Sequence, residues 1–185
     1  LLQAAQGLPH IKFRLAGSGP EEASYRESAS ANVEFVGKLD GDDMTAFYRG
    51  ARALILPSTN YEMCPLVIGE AMSHGVPVIA SDIGGIPELV DNDVTGLLFE
   101  PGHHARLSER IRQLDENPEQ CRRFGQAAWK MARSEFGEAK YLANLLDIYK
   151  QAIDPSRVHS SSGKPQAAID VNPLAAPTPV TEVTS

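Results

Sequence analysis

The sequence predicts an α/β fold: a Rossmann-like parallel sheet flanked by helices, with a carboxyl-terminal third that is almost wholly helical. Three observations carry this reading. Short aliphatic runs recur between residues 11 and 99 and mostly lack clean alternation, as strands covered on both faces require. Amphipathic stretches separate them, so strand and helix alternate and the strands run parallel through right-handed crossovers. Past residue 103 the pattern is helical.

Taken in order, LLQAAQG at 1–7 reads as the end of a helix, and the first strand is Ile11–Ala16. Pro20 suits the first turn of a helix near 21–30, which leads to the strand Val33–Val36. Asp42 or Asp43 stands where the helix near 43–50, with MTAFYRG at 44–50, needs an N-cap, and an acid there also suits the helix dipole. The strand Ala53–Leu56 follows, and Pro65 opens a helix over 65–74. After the strand Val76–Ala80, Gly84-Gly85 permits a turn, and Pro87 with Glu88 starts a helix over 86–91. The last strand is Gly96–Phe99, before helices at 103–115, 118–133 and 137–153.

Composition narrows the function classes. Seventeen basic and 24 acidic residues leave a net charge of −7, which argues against a nucleic-acid partner. The longest apolar runs are too short to span a membrane, and nothing indicates membrane association. No secretion signal opens the sequence, and Cys64 and Cys121 are too few for a disulfide framework, so a reduced, cytoplasmic setting is expected. All twelve aromatic residues fall between Phe13 and Tyr149, whereas residues 155–185 hold five of the thirteen prolines. The expected organisation is therefore a domain at 1–154 and a disordered tail at 155–185. An opening on the end of a helix suggests a piece of a longer protein.

In parallel α/β sheets, ligands bind at the carboxyl ends of the strands. After the first strand, Gly17-Ser18-Gly19-Pro20 allows a tight turn and close approach of a ligand. It reads equally as a plain turn and helix start, since a dinucleotide fingerprint would want glycine where Glu22 stands. Asp40-Gly41-Asp42-Asp43 has the spacing of a divalent-metal motif, but helix capping explains it better and no metal site is expected. His103-His104 lacks a nearby third ligand and reads as the start of a solvated helix. The informative stretch runs from Pro57 to Met72. The first amides of its helix, at Leu66 and Val67, have no intrahelical acceptor and offer a site for a phosphate or diphosphate. Glu70 lies one turn further on the same face, within reach of a ribose or base. Glu62 lies in the loop before the helix, on the other side of the phosphates. Three such points could hold a nucleotide-activated sugar, though both glutamates could equally be surface acids. Cys64 has no histidine beside it and reads as a packed thiol rather than a nucleophile. The turn at Gly84-Gly85 offers a second set of free amides to the same crevice.

The block PSTNYEMCPLVIGEAMSHGVPVIASDIGGIPELVDNDVTGLLFEPG strongly resembles the carboxyl-terminal, donor-binding domain of family 4 retaining glycosyltransferases, which have the two-domain glycosyltransferase B fold. LAGSGP, VEFVGKL and the segment around Phe136 also fit, so the resemblance covers about residues 1–153. It implies that Glu62 faces the transferred sugar near the reacting carbon, as the catalytic position, and that Glu70 accepts from the ribose hydroxyls. It implies diphosphate binding at the Leu66 and Val67 amides, next to Cys64 and Pro65. Gly17 and Gly19 would line the donor site, and the turn Gly37-Lys38-Leu39 would sit against the base. The expected donor is a nucleotide-diphosphate hexose, a UDP-sugar in preference to a GDP-sugar, with no metal and no other cofactor. The family's Arg/Lys pair, which belongs to a segment before the opening helix, and its amino-terminal acceptor domain are absent from this sequence. The fragment alone is expected to bind donor weakly and catalyse little. Gly69 departs from the usual aliphatic residue at its position. The rival readings are a non-catalytic nucleotide-binding or interaction module of the same fold and an oxidoreductase-type Rossmann domain, the latter disfavoured by Glu22.

Overall fold

In the computed structural model, which describes residues 1–153, helices and strands alternate as the patterning requires. The order is α1 (Leu2–Gln6), β1 (Phe13–Ala16), α2 (Glu22–Ser28), β2 (Val33–Gly37), α3 (Gly41–Arg49), β3 (Leu54–Leu56) and α4 (Leu66–Ser73). It continues with β4 (Val78–Ser81), α5 (Ile86–Leu89), β5 (Gly96–Phe99), α6 (His104–Glu116), α7 (Pro118–Glu135) and α8 (Glu138–Ile153). The expected tail at 155–185 lies outside the described residues. The chain divides after Asn144 into two units, the first holding everything through α7 and the start of α8. The described part of the second is the rest of α8, a helix with no buried residue.

Every strand pairing is parallel, as predicted, but the ladder is divided. β1 pairs with β2, and β3, β4 and β5 form a separate three-stranded sheet in that order. Two of the predicted strands begin late for local reasons. The Ile11 amide donates to the Leu8 carbonyl in a turn, and the Val76 amide donates back to Ala71 at the end of α4. Pro77, between Val76 and β4, has no amide to give a ladder.

The core follows the two-residue period of a strand. All four residues of β4 are buried. Ile79 faces one cluster with Leu97 and Phe99 of β5, Leu107, Ile111 and Leu114 of α6, and Phe124 of α7. Val78 and Ala80 face the opposite cluster with Ile68 and Met72 of α4, Ile86 of α5, and Ala128 and Ala132 of α7. The first cluster also takes Phe13, Leu15 and Val33, so side chains unite one face of the two sheets although no ladder joins them. Leu107, Ile111 and Leu114 recur at helical spacing, the apolar stripe that seats α6. No helix among the described residues is long and apolar enough to cross a membrane.

Asn32 ties the start of the chain to β2. Its Nδ2 donates to the carbonyls of Ala5 (3.1 Å), Leu8 (3.0 Å) and Ile11 (2.8 Å), fixing the connection from α1 to β1. Replacing Asn32 with alanine leaves those acceptors short of a donor and should cost about 1–3 kcal/mol in urea unfolding. At Gly69 in α4, an added Cβ would meet Phe136 Cδ2 at 3.5 Å, an ordinary contact. Gly69→Ala should therefore stabilise the protein by about 0.5–1 kcal/mol through helix propensity, read as a higher denaturation midpoint at unchanged slope.

Candidate functional site

β3 ends at Leu56, and the polar loop from Pro57 leads to α4, whose N-cap position is Pro65. That loop is held from outside as well as from within. Its seat is the turn after β4, where the Gly85 amide donates to the Glu62 carbonyl at 2.7 Å. A Cβ at Gly85 would run into the Met63 carbonyl oxygen, and one at Gly84 (φ +60°) into that of Glu62. Only glycines let the two loops approach so closely. This corrects the expectation of free amides at that turn: Gly85 is spent on Glu62, the Ile86 amide donates to Ile83 and that of Glu88 to Gly85. The half-buried Glu62 is steadied further by the Ser58 hydroxyl, which donates to its Oε1 at 3.1 Å.

The α4 N-terminus is open. Pro65 offers no side-chain cap, and the Leu66 and Val67 amides have no acceptor among the described residues. Leu66 is exposed and Val67 half-buried, and the first amides of a helix point along its axis away from its body. Glu70 stands one turn along, exposed at its carboxylate. Its Oε2 accepts from the buried Tyr48 hydroxyl of α3 at 2.8 Å, and Oε1 has no partner among the described residues. The Glu70 carbonyl meets Ser73 Oγ (2.6 Å) and His74 Nδ1 (2.9 Å), and the His74 ring stacks on Tyr48 with centroids 5.6 Å apart. Burial, then the adjoining Glu70 carboxylate, pushes the Tyr48 phenol well above its ordinary value, so it stays protonated and donating. Along the chain, a loop acid, two open amides and a helix acid follow one another around one helix start: acceptors for hydroxyls before and after donors for an anion.

The glycine turns after β1 and β2 meet each other. The Gly17 amide donates to the Gly37 carbonyl at 2.7 Å, and both residues have positive φ. The Gly19 carbonyl accepts from Glu22 as α2 begins. Lys38 is exposed and Leu39 half-buried in the short link from β2 to α3. The structure therefore brings together Gly17 with Gly37, Glu62 with Gly84 and Gly85, and Glu70 with Tyr48. The first two pairs lie at strand ends, Gly17 and Gly37 in one sheet and the Glu62 and Gly84-Gly85 loops in the other, whereas Glu70 and Tyr48 lie on helices.

Two further expectations are corrected. Cys64 is an exposed free thiol rather than a packed one, because the loop is held through its backbone and turns that side chain outward. α3 starts two residues earlier than predicted, with Asp40 at the N-cap position and Asp42 and Asp43 in the first turn, where the dipole favours acids without a side-chain cap. No group of three His, Cys, Asp or Glu able to hold a metal occurs among the described residues. His103 does cap α6, accepting from the Arg106 amide. A separate open groove of about 500 Å³ is lined by Asp82, Asn92, Glu100, Arg106 and Arg110. Its arginines are already committed, Arg106 to Glu109 and Arg110 to the Leu98 carbonyl, and neither Glu62 nor Glu70 lines it. Tyr48 and Ser58 escaped the sequence reading. Tyr48 lies among the apolar positions of an amphipathic helix, and nothing in its spacing signals a partner in α4.

Comparison with known proteins places this arrangement in a family. The family model for "Glycosyl transferases group 1" matches residues 1–131. The sulfoquinovosyl transferase SQD2 of Arabidopsis thaliana is 31% identical over 150 residues, a match covering 75% of this chain and 29% of that protein. The chain thus spans less than a third of that relative. The crystal structure of Anabaena HepE in complex with UDP-glucose superposes with a TM-score of 0.73 at 25% identity, over 82% of this chain and 44% of that one. The crystal structure of the carboxyl-terminal domain of a group 1 glycosyl transferase from Francisella tularensis superposes with a TM-score of 0.58 at 16% identity, over 74% of this chain and 93% of that one, a likeness of fold. With its parallel α/β architecture and its match across the α4 region, the chain belongs to the group 1 glycosyl transferases and carries a carboxyl-terminal domain of the glycosyltransferase B type.

Proposed function

We infer that residues 1–154 form the donor-binding half of a family 4 retaining glycosyltransferase that takes a nucleotide-diphosphate hexose. The observation that carries this reading is the open start of α4, with the Leu66 and Val67 amides unpaired between Glu62 and Glu70. Those amides would hold the diphosphate and take up charge on the leaving group as the glycosidic bond breaks. Glu70 would bind the ribose hydroxyls through its open Oε1. Glu62, set by Gly85 and Ser58, would orient the sugar and support the positive charge developing at the reacting carbon. Pro65 and Cys64 border the amides, and the Gly17, Gly19 and Gly37–Leu39 turns would receive the rest of the nucleotide. The acceptor, held by an amino-terminal domain, would attack from the leaving group's own face, so configuration is retained. HepE was crystallised with UDP-glucose, which supports a UDP-sugar over a GDP-sugar as donor. Diphosphate recognition by amides asks for no metal, and two free thiols fit a reducing, cytoplasmic setting.

Calorimetry tests the reading directly. UDP or a UDP-hexose should bind this chain in EDTA as well as without it, and binding abolished by EDTA would overturn the metal-free assignment. Glu70→Ala should raise the dissociation constant for UDP about tenfold or more, as losing hydrogen bonds to a charged acceptor does. Unchanged affinity would remove Glu70 from the site. In a full-length enzyme joined to an acceptor domain, Glu62→Gln should lower kcat about 100-fold or more while UDP affinity changes little. Loss of UDP binding alone would instead make Glu62 a binding residue.

A further inference from the structure

The geometry points to Tyr48 as a positioning residue for nucleotide binding: its hydroxyl fixes the Glu70 carboxylate in the orientation that accepts a ribose diol. This rests on the reading of Glu70 given above and extends it to a residue on a different helix.

A glutamate on an exposed helix face samples many rotamers, and ordering such a side chain opposes binding. Here the carboxylate is held before any ligand arrives. The Tyr48 hydroxyl donates to Oε2 at 2.8 Å and leaves Oε1 open, so one oxygen is anchored and the other is presented. An anchor works only if it is itself immobile, and Tyr48 is. It is 3% exposed and clusters with Ala71 of α4 and with Val76. One ring neighbour is His74, near-parallel at 24°, and the other is Phe47, edge-on at 6.2 Å. The His74 ring nitrogen in turn meets the Glu70 carbonyl, so phenol, imidazole and glutamate close a small circuit around one turn of α4. With its ring pinned, the hydroxyl has one direction to point.

The origin of Tyr48 adds a second consequence. α3 begins at Gly41, immediately after the Gly37–Leu39 turn assigned to the base. The helix that carries the anchor therefore starts at one end of the nucleoside site and ends on the carboxylate at the other. Pre-organisation of this kind lowers the cost of binding without adding a contact to the ligand.

The test compares this chain with its Tyr48→Phe, Glu70→Ala and double variants, titrated with UDP and with 2′,3′-dideoxy-UDP, and in parallel with the guanine pair. Phenylalanine keeps the stacking ring and removes only the donor. Tyr48→Phe should weaken UDP about fivefold, because the orientation of the carboxylate is lost but no contact to the ligand is, and leave dideoxy-UDP unchanged. The double variant should bind UDP no more weakly than Glu70→Ala alone. Equal weakening of UDP and dideoxy-UDP would make Tyr48 merely structural and overturn the inference. So would unchanged UDP affinity in Tyr48→Phe when Glu70→Ala is weakened. If Glu70→Ala itself binds UDP normally, the site reading fails first, a result distinct from failure of the anchor alone. Should Tyr48→Phe not fold, carbon-13 labelling of tyrosine in the unmodified chain decides. The Tyr48 Cζ resonance, assigned through its contacts with His74, should move with UDP and not with dideoxy-UDP, and no movement with either overturns the inference.

Discussion

Strand β4 is bonded along both edges and covered on both faces, and the candidate site is built outward from it. Its alternate residues seat α4 on one side and α6 on the other. Its end runs directly into the Gly84-Gly85 turn that grips the Glu62 backbone. The loop that carries Glu62 follows β3, which is itself paired to β4. Both loops thus leave from neighbouring strands of one sheet, and the hydrogen bond from the Gly85 amide to the Glu62 carbonyl closes the corner between them. A polar loop of this length would otherwise be among the least stable parts of the fold.

The route from the sequence to the site was direct where chemistry is local. The run VPVIA has the apolar continuity of a strand buried on both faces, and β4 is one. Pro65 marked the start of α4 because a residue without an amide costs nothing there, and the four-residue step from Leu66 to Glu70 follows from helix pitch alone. Where contacts are remote, the residues gave little away. Tyr48 and Glu70 are 22 positions apart and on different helices, so their bond depends on how α3 packs against α4. The division into two sheets is equally invisible in the patterning, since a strand bonded on one edge and a strand bonded on two can have the same composition. Asp40, Asp42 and Asp43 could each begin a helix, and the sequence offers nothing to choose among neighbouring acids. Gly84-Gly85 was recognised as a turn, but its purpose lay in the carbonyls of Glu62 and Met63.

An acidic protein can still present a place for an anion. The net charge of −7 acts over a range that salt screens, whereas unpaired amides act at contact. Along the chain Glu62 and Glu70 stand on either side of those amides, and neither carboxylate accepts from them. Ser58 and Tyr48 each donate to one of the two acids, so part of each carboxylate's hydrogen-bonding capacity is satisfied within the fold. What remains open is directional: acceptors at the flanks, donors in the middle.

Gly69 gives α4 an unprotected side. Phe136, the C-cap of α7, lies over it with room left for a methyl group, since a Cβ there would meet the ring at 3.5 Å. The next residue is Glu70. Most contacts between helices are filled by side chains from both partners, but here only the ring contributes and the packing is left one methyl group short. A methyl group at Gly69 would close that space and back the turn that carries Glu70 against the end of α7.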